Sequence, residues 1–163
     1  MKILQAINLT KCYDKVPVVS QVSFEIEEGE IYGFVGKNGA GKSTVIRMIL
    51  NFIKNYDGKI VLFEEEEVHS VKPIGGFVEY PSIYPSMTAL ENLMVQAKLC
   101  HMEDKESLLN ILKEVGLKND KKKAKYFSLG MKQRLAIGIA LVGSPKLLVL
   151  DEPMNGLDPM GIR

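Results

Sequence analysis

Cysteine is scarce in this chain: Cys12 and Cys100 are its only two, far apart and with no metal-ligand spacing around them. That argues against a disulfide framework or a cysteine metal site, and a reduced compartment is the simplest reading. Charge of one sign is missing as well. Lys and Arg number 21 against 20 Asp and Glu, a formal net charge of +1, so no strong global field draws the chain to nucleic acid or to an anionic membrane. Long hydrophobic runs are also absent. The longest apolar stretch, near residues 135–142, falls far short of the ~20 residues a membrane helix requires. The N-terminal "MKILQAINLTKCYDK" breaks off its apolar run too early for a secretory signal. There is no internal repeat and no low-complexity linker. The expectation is a soluble, cytoplasmic chain; if it works at a membrane, another molecule takes it there. What is present is ordinary: 163 residues, 46% hydrophobic and 25% charged, enough for one domain with a sizeable core.

Along the chain, strands come first. "ILQAINL" has β character, and "VSFEIEEGE" alternates Val22, Phe24 and Ile26 inward before a turn at Gly29. "IYGFV", residues 31–35, is nearly all apolar and predicts a strand covered on both faces, as in a parallel sheet. From Ser43 the period changes: Val45, Met48, Ile49, Phe52 and Ile53 form one helical stripe. "NYDGK" then ends that helix and opens the strand "KIVLF". "EEEEVHSVKP" reads as a surface connection, and its glutamate run 64–67 as a solvated loop rather than a cation site. "TALENLMVQAKLC" places Glu91 three residues after Thr88, the spacing of a capping box. "KESLLNILKEVGL" predicts a second helix stopping near Gly116. The basic "KNDKKKAK", usually a solvated face, leads into "FSLGMKQRL", and the chain returns to a sheet with "KLLVL".

The strongest chemical signal is "GKNGAGKST". Gly36, Lys37, Asn38, Gly39, Ala40, Gly41, Lys42 and Ser43 match G-x-x-x-x-G-K-[ST] between an apolar run and an amphipathic helix, with Thr44 following. Such a loop curls backbone N–H groups around a phosphate chain, at a helix N-terminus whose partial charge favours an anion. Lys42 would reach the β- and γ-phosphates and Ser43 would ligate Mg²⁺. The bland alternative is a glycine-rich turn with an exposed lysine. The second signal is "KLLVLDEP", in which a strand delivers Asp151 and Glu152 at its carboxyl end, where open α/β sheets bind ligands. Asp151 suits Mg²⁺, directly or through water, and Glu152 suits a general base acting on the attacking water. Taken alone, two acids there could equally be a solvated turn.

"GKNGAGKST", "SLGMKQR", "LLVLDEP" and "NGLDP", in that order, resemble the nucleotide-binding subunits of ABC transporters, and the resemblance covers essentially the whole chain. It implies an α/β P-loop NTPase fold with a mainly parallel core sheet, an N-terminal antiparallel β subdomain and a helical insert. Residues 1–80 would be the ATP-binding core with the β subdomain, 81–128 the helical subdomain, and 129–163 the signature helix, the Asp-Glu strand and the loop beyond. It further implies a head-to-tail dimer with a second ATP-binding subunit, in which Ser128 and the Gly130 N–H face the γ-phosphate held by the partner's P-loop. For Ser128 the alternative is a helix cap and nothing more. Tyr13 matches the aromatic that stacks on adenine; a half-buried tyrosine near a turn is its plainer reading. Residues 155–158, ending at Asp158, match the loop that crosses the dimer interface.

The chain also departs from the family pattern. Glu79 stands where most relatives carry a glutamine near Mg²⁺ and the lytic water; a carboxylate there favours the metal and repels the γ-phosphate. Leu129 replaces the usual first glycine of the signature and Met131 the usual glutamine. Both departures resemble the bacitracin and lantibiotic branch of peptide-antibiotic transporters. The family's switch histidine belongs on a strand further on than Arg163, and neither His69 nor His101 can be it, so the resemblance implies a C-terminally incomplete domain. The expected function is ATP binding and hydrolysis with Mg²⁺, coupled to integral membrane permease subunits at the inner face of the cell membrane. Catalysis would rest on Glu152, Glu79 and Lys42, and the metal on Ser43, Asp151 and Glu79. No nucleic-acid partner is expected. The helix from Thr88 and the loop before it, with Tyr80, Ile83 and Tyr84 exposed, would meet the membrane subunits. Two other readings remain: an ATP-binding module that does not hydrolyse, and a soluble ABC ATPase unconnected with transport.

Overall fold

Asp14 and Lys15 both take left-handed backbone angles, φ 49° and 67°, and so reverse the chain between two twelve-residue strands in the two-residue turn that matches strand twist. These are β1 (Lys2–Tyr13) and β2 (Val16–Glu27), antiparallel from Lys2 opposite Glu27 to Tyr13 opposite Val16. β3 (Asp57–Leu62) pairs antiparallel with the other edge of β1, giving the order β2-β1-β3. The computed structural model describes residues 1–63, 74–78, 82–102 and 104–154. The chain forms two compact units, Met1–Lys72 and Pro73–Arg163.

In the first unit Leu4 and Leu9 of β1 are fully buried, as is Met48 of α1 (Lys42–Ile49). Val22, Phe24 and Ile26 alternate half-buried with exposed neighbours, the period that one covered face produces. Two expectations fail here. Residues 31–35 form no strand, and Ile31 and Val35 are 99% and 96% exposed. Tyr32 and Phe34 instead pack on Phe24, with ring centroids 5.3 Å and 5.1 Å away. A strand exists only through a hydrogen-bonded neighbour, and among the described residues of this unit none pairs with 31–35. The helix is also shorter than its apolar stripe: Asn51 turns left-handed at φ 60°, leaving Phe52 exposed beyond the helix end.

In the second unit β4 (Ile74–Phe77) lies parallel to β5 (Leu147–Leu150), with Ile74 opposite Leu147 and Phe77 opposite Leu150. Between them in sequence come α2 (Ala89–Leu99), α3 (Lys105–Glu114) and α4 (Leu129–Leu141). The Thr88 hydroxyl accepts from Glu91 N and the Glu91 carboxylate accepts from Thr88 N, the reciprocal cap that the sequence spacing predicts. Asp104 caps α3 by accepting from Glu106 N, Ser107 N and the Ser107 hydroxyl; the hydroxyl first, then the backbone donors, holds this carboxyl below its ordinary value.

α4 is apolar on opposite sides because it is covered twice. Leu135 belongs to a helical cluster with Leu93, Leu108, Ile111, Leu112 and Phe127. Ala136 and Ala140 pack with Phe77, and Leu150 lies against them. The helix meets β4 with almost no space. A Cβ at Gly75 would collide with the Ala140 carbonyl oxygen and stand 2.8 Å from the Pro145 ring, so only glycine permits this approach.

Candidate functional site

The first unit carries the phosphate-loop residues. Gly39 and Gly41 are left-handed, at φ 81° and 88°, and Ala40 N closes a turn on the Lys37 carbonyl at 3.1 Å. At Gly41 both conformation and space demand glycine: a Cβ would stand 2.5 Å from the Val18 carbonyl oxygen and 3.0 Å from a Val19 methyl. The loop is thus pressed onto β2 just where α1 begins, with Gly41 as its N-cap and Val45 N bonded to the Gly41 carbonyl at 3.0 Å. Lys42 folds back over the loop, its ammonium donating to the carbonyls of Gly36 at 2.8 Å and Lys37 at 3.0 Å. Gly36, Lys37, Asn38, Gly39 and Ala40 are exposed, Ser43 is half-buried in the first turn and Thr44 is buried. The result is an open loop with a cation tucked along it at a helix N-terminus, an arrangement that fits a polyphosphate.

Tyr13 sits at the end of the β1–β2 hairpin, 48% exposed, with the Lys11 ammonium 4.9 Å from its ring centroid. Its strand partner Val16 precedes Val18, the residue behind Gly41, by two positions, a strand rise of about 7 Å. An exposed aromatic face is therefore carried by the end of β1, at the turn of the hairpin whose other strand, β2, backs the loop.

The second unit carries Ser128, Gly130, Asp151 and Glu152. The Ser128 hydroxyl accepts from Met131 N at 3.2 Å and so caps α4. Ser128 and Leu129 are exposed, and Gly130 is half-buried, at the open end of the helix. The segment before it is tied down: Ala124 N donates to the Met87 carbonyl, Lys125 N to the Pro85 carbonyl, and Lys123 pairs with Glu91 at 3.0 Å. The Glu91 carboxyl is held below its ordinary value, first by the Thr88 backbone N–H and then by Lys123. Of the basic run, Lys121, Lys122 and Lys125 are exposed, while Lys123 is half-buried in its pair. Asn92, buried, accepts from Tyr84 N and donates to the Tyr84 and Thr88 carbonyls, fixing the loop ahead of α2.

Asp151 is 5% exposed at the carboxyl end of β5, its N–H donating to the Phe77 carbonyl. Glu152 follows, exposed and left-handed at φ 48°. An aspartate shielded at a strand end, next to an accessible glutamate, suits one carboxylate for a metal and the other for a water. Among the described residues no cluster of three His, Cys, Asp or Glu side chains could hold a metal by itself, so a cation here would draw further ligands from a hydroxyl, water or phosphate. Glu79, Asp158 and the rest of 155–158, together with Tyr80, His69 and glutamates 64–67, lie outside the described residues. Of the proposed docking residues, Tyr84 is exposed but Ile83 packs against the helical cluster, because the loop folds back onto α2. Cys12 and Cys100 are both free and exposed. No helix among the described residues is long and apolar enough to cross a membrane. Sequence reasoning passed over Gln133, a buried amide bonded to the carbonyls of Glu152 and Pro153. Its only signal was a polar residue on the apolar-covered side of α4.

The family model for ABC transporters matches residues 19–155. The bacitracin transport ATP-binding protein BcrA of Bacillus licheniformis is 45% identical over 99% of this chain and 54% of its own length. The lantibiotic transport ATP-binding protein SrtF of Streptococcus pyogenes is 42% identical over 96% of this chain and 69% of its own. The chain thus spans about half to two thirds of the length of these curated relatives. A solved ATP-binding subunit of an ABC transporter superposes with a TM-score of 0.85 at 29% identity, covering 98% of this chain and 70% of that one. Motif order, the family match and this superposition agree, and the chain belongs to the ABC transporter family, with the fold of its ATPase domains.

Proposed function

We propose that this chain binds ATP with Mg²⁺ and hydrolyses it as the nucleotide-binding subunit of a transporter that exports, or gives immunity to, peptide antibiotics of the bacitracin and lantibiotic type. The observation that carries the ATP site is the loop at Gly41, pressed on Val18 with Lys42 folded along its carbonyls. Lys42 and the loop N–H groups hold the phosphates, Tyr13 stacks on adenine, and Ser43 with Asp151 binds the metal, which neutralises phosphate charge when bound. Glu152 takes the proton of the attacking water. Glu79 acts beside the metal, and Asp158 senses the opposite site. Ser128 and Gly130 complete the ATP site of a second subunit, since a two-fold pair lets one sequence supply both halves. Membrane permease subunits at the cytoplasmic face use the closing and opening. The antibiotic class rests on likeness to BcrA and SrtF.

The test is Glu152→Gln in the assembled transporter. Hydrolysis falls by about 10²–10⁴-fold there, and the purified full-length subunit carrying the substitution accumulates as an ATP-bound dimer on size exclusion. Full turnover, or purely monomeric elution with ATP, overturns the reading. ATP binding without turnover in the unsubstituted protein favours the non-hydrolysing module. For the substrate, cells lacking the protein become more sensitive to bacitracin or a lantibiotic; unchanged sensitivity to both overturns the antibiotic assignment.

A further inference from the structure

We infer that Gln133 is a positioning residue for Glu152: from inside α4 it holds the backbone that presents the general base. This rests on the reading of Glu152 as that base. Gln133 is only 6% exposed. Its side-chain nitrogen donates to the Glu152 carbonyl at 3.4 Å and to the Pro153 carbonyl at 3.0 Å. An amide nitrogen has two hydrogens, and each has one carbonyl to meet; with two acceptors opposite it, only the nitrogen end of the amide fits.

The segment needs such a donor. Glu152 is left-handed at φ 48°, a conformation a non-glycine residue keeps only when its surroundings over-determine it. Pro153 has no N–H and contributes no backbone donor of its own. The two bonds from Gln133 grip the peptides on both sides of Pro153, immediately after the glutamate.

The donor is itself fixed. Residues 133, 136 and 140 share one face of α4, and Ala136 and Ala140 on that face are buried with Phe77. The missing Cβ of Gly75 lets β4 come up against the Ala140 carbonyl of this helix. α4 runs back along β4, the parallel neighbour of β5, from Ala140 at Gly75 to Ala136 at Phe77, so its first turns reach the carboxyl ends of both strands. Gln133 also lies five residues from the cap Ser128, a helical rise of about 7.5 Å. The helix end that faces a partner's nucleotide and the backbone that aims the base on this chain's own nucleotide are thus parts of one packed body.

The test uses the assembled transporter and ATP with Mg²⁺. Gln133→Met, which keeps length and helix propensity but has no donor, lowers kcat by at least about tenfold with ATP affinity within about twofold. Gln133→Lys, which restores a donor, recovers most of the rate. Combined with Glu152→Gln, Gln133→Met slows the residual turnover no further, because both act through the same group. A merely structural role predicts loss of ATP affinity together with kcat, and effects that multiply. Wild-type kcat in Gln133→Met, with Glu152→Gln inactive, overturns this inference alone. Full turnover in Glu152→Gln overturns the general-base reading and this inference with it. If Gln133→Met does not fold, Gln133→Asn, which withdraws the donor by one methylene, is judged by the same comparisons.

Discussion

A Cβ placed on Gly41 would lie 2.5 Å from the carbonyl oxygen of Val18. One close approach thereby sets how the phosphate loop rests on β2. Gly41→Ala adds both that collision and a left-handed alanine, and the expected loss is at least about 2 kcal/mol of stability. Urea unfolding measures it, and ATP affinity falls with it. An alanine variant of unchanged midpoint and affinity would show that the loop can re-seat.

Among the described residues, Lys42 bonds to backbone carbonyls of its own loop, Gly36 and Lys37, and these can be exchanged for phosphate oxygens at little cost. Lys42→Ala is expected to weaken ATP binding at least about tenfold in calorimetry, with little change in melting temperature. Unchanged affinity removes Lys42 from the site.

Ser128 caps α4 whatever else it does, so Ser128→Ala confuses two effects. Ser128→Asp separates them. Aspartate caps as well as serine, but its charge opposes a γ-phosphate. The expected result is unchanged stability and loss of ATP-dependent dimerisation. A variant that still dimerises with ATP leaves Ser128 as a cap only.

Glu91 lies below its ordinary value because the folded protein surrounds its carboxylate with the Thr88 N–H and Lys123. A carboxyl lowered on folding stabilises above its unfolded value and loses that contribution as pH falls through the folded one. Wild-type stability should therefore decline more steeply below about pH 4.5 than that of Glu91→Gln, which keeps the capping box without the charge. Parallel acid melting curves would contradict the assignment. At neutral pH, Thr88→Ala should cost about 1 kcal/mol.

Local chemistry was readable wherever cause and effect lie within a few residues of each other. Thr88 with Glu91, Ser128 ahead of α4 and the stop at Gly116 (φ 67°) all follow from the neighbouring sequence. Their partners are backbone groups one turn away, and no distant contact is needed to choose them. The phosphate loop belongs to the same class, since its glycines and Lys42 bond within the loop.

Other features depended on neighbours that no local pattern names. Residues 31–35 have the apolarity of a buried strand and yet form none, while the glycine-rich Ile74–Phe77 is a strand because β5 lies beside it. A strand is defined by its hydrogen-bonding partner, and apolar side chains alone cannot supply one. Gln133 is the sharpest case. On the sequence it is one polar residue in a motif; folded, it reaches carbonyls 19 and 20 positions away. That bond exists because α4 is packed on two sides and a buried amide has to be paired. Packing, rather than any motif, joins the signature helix to the glutamate.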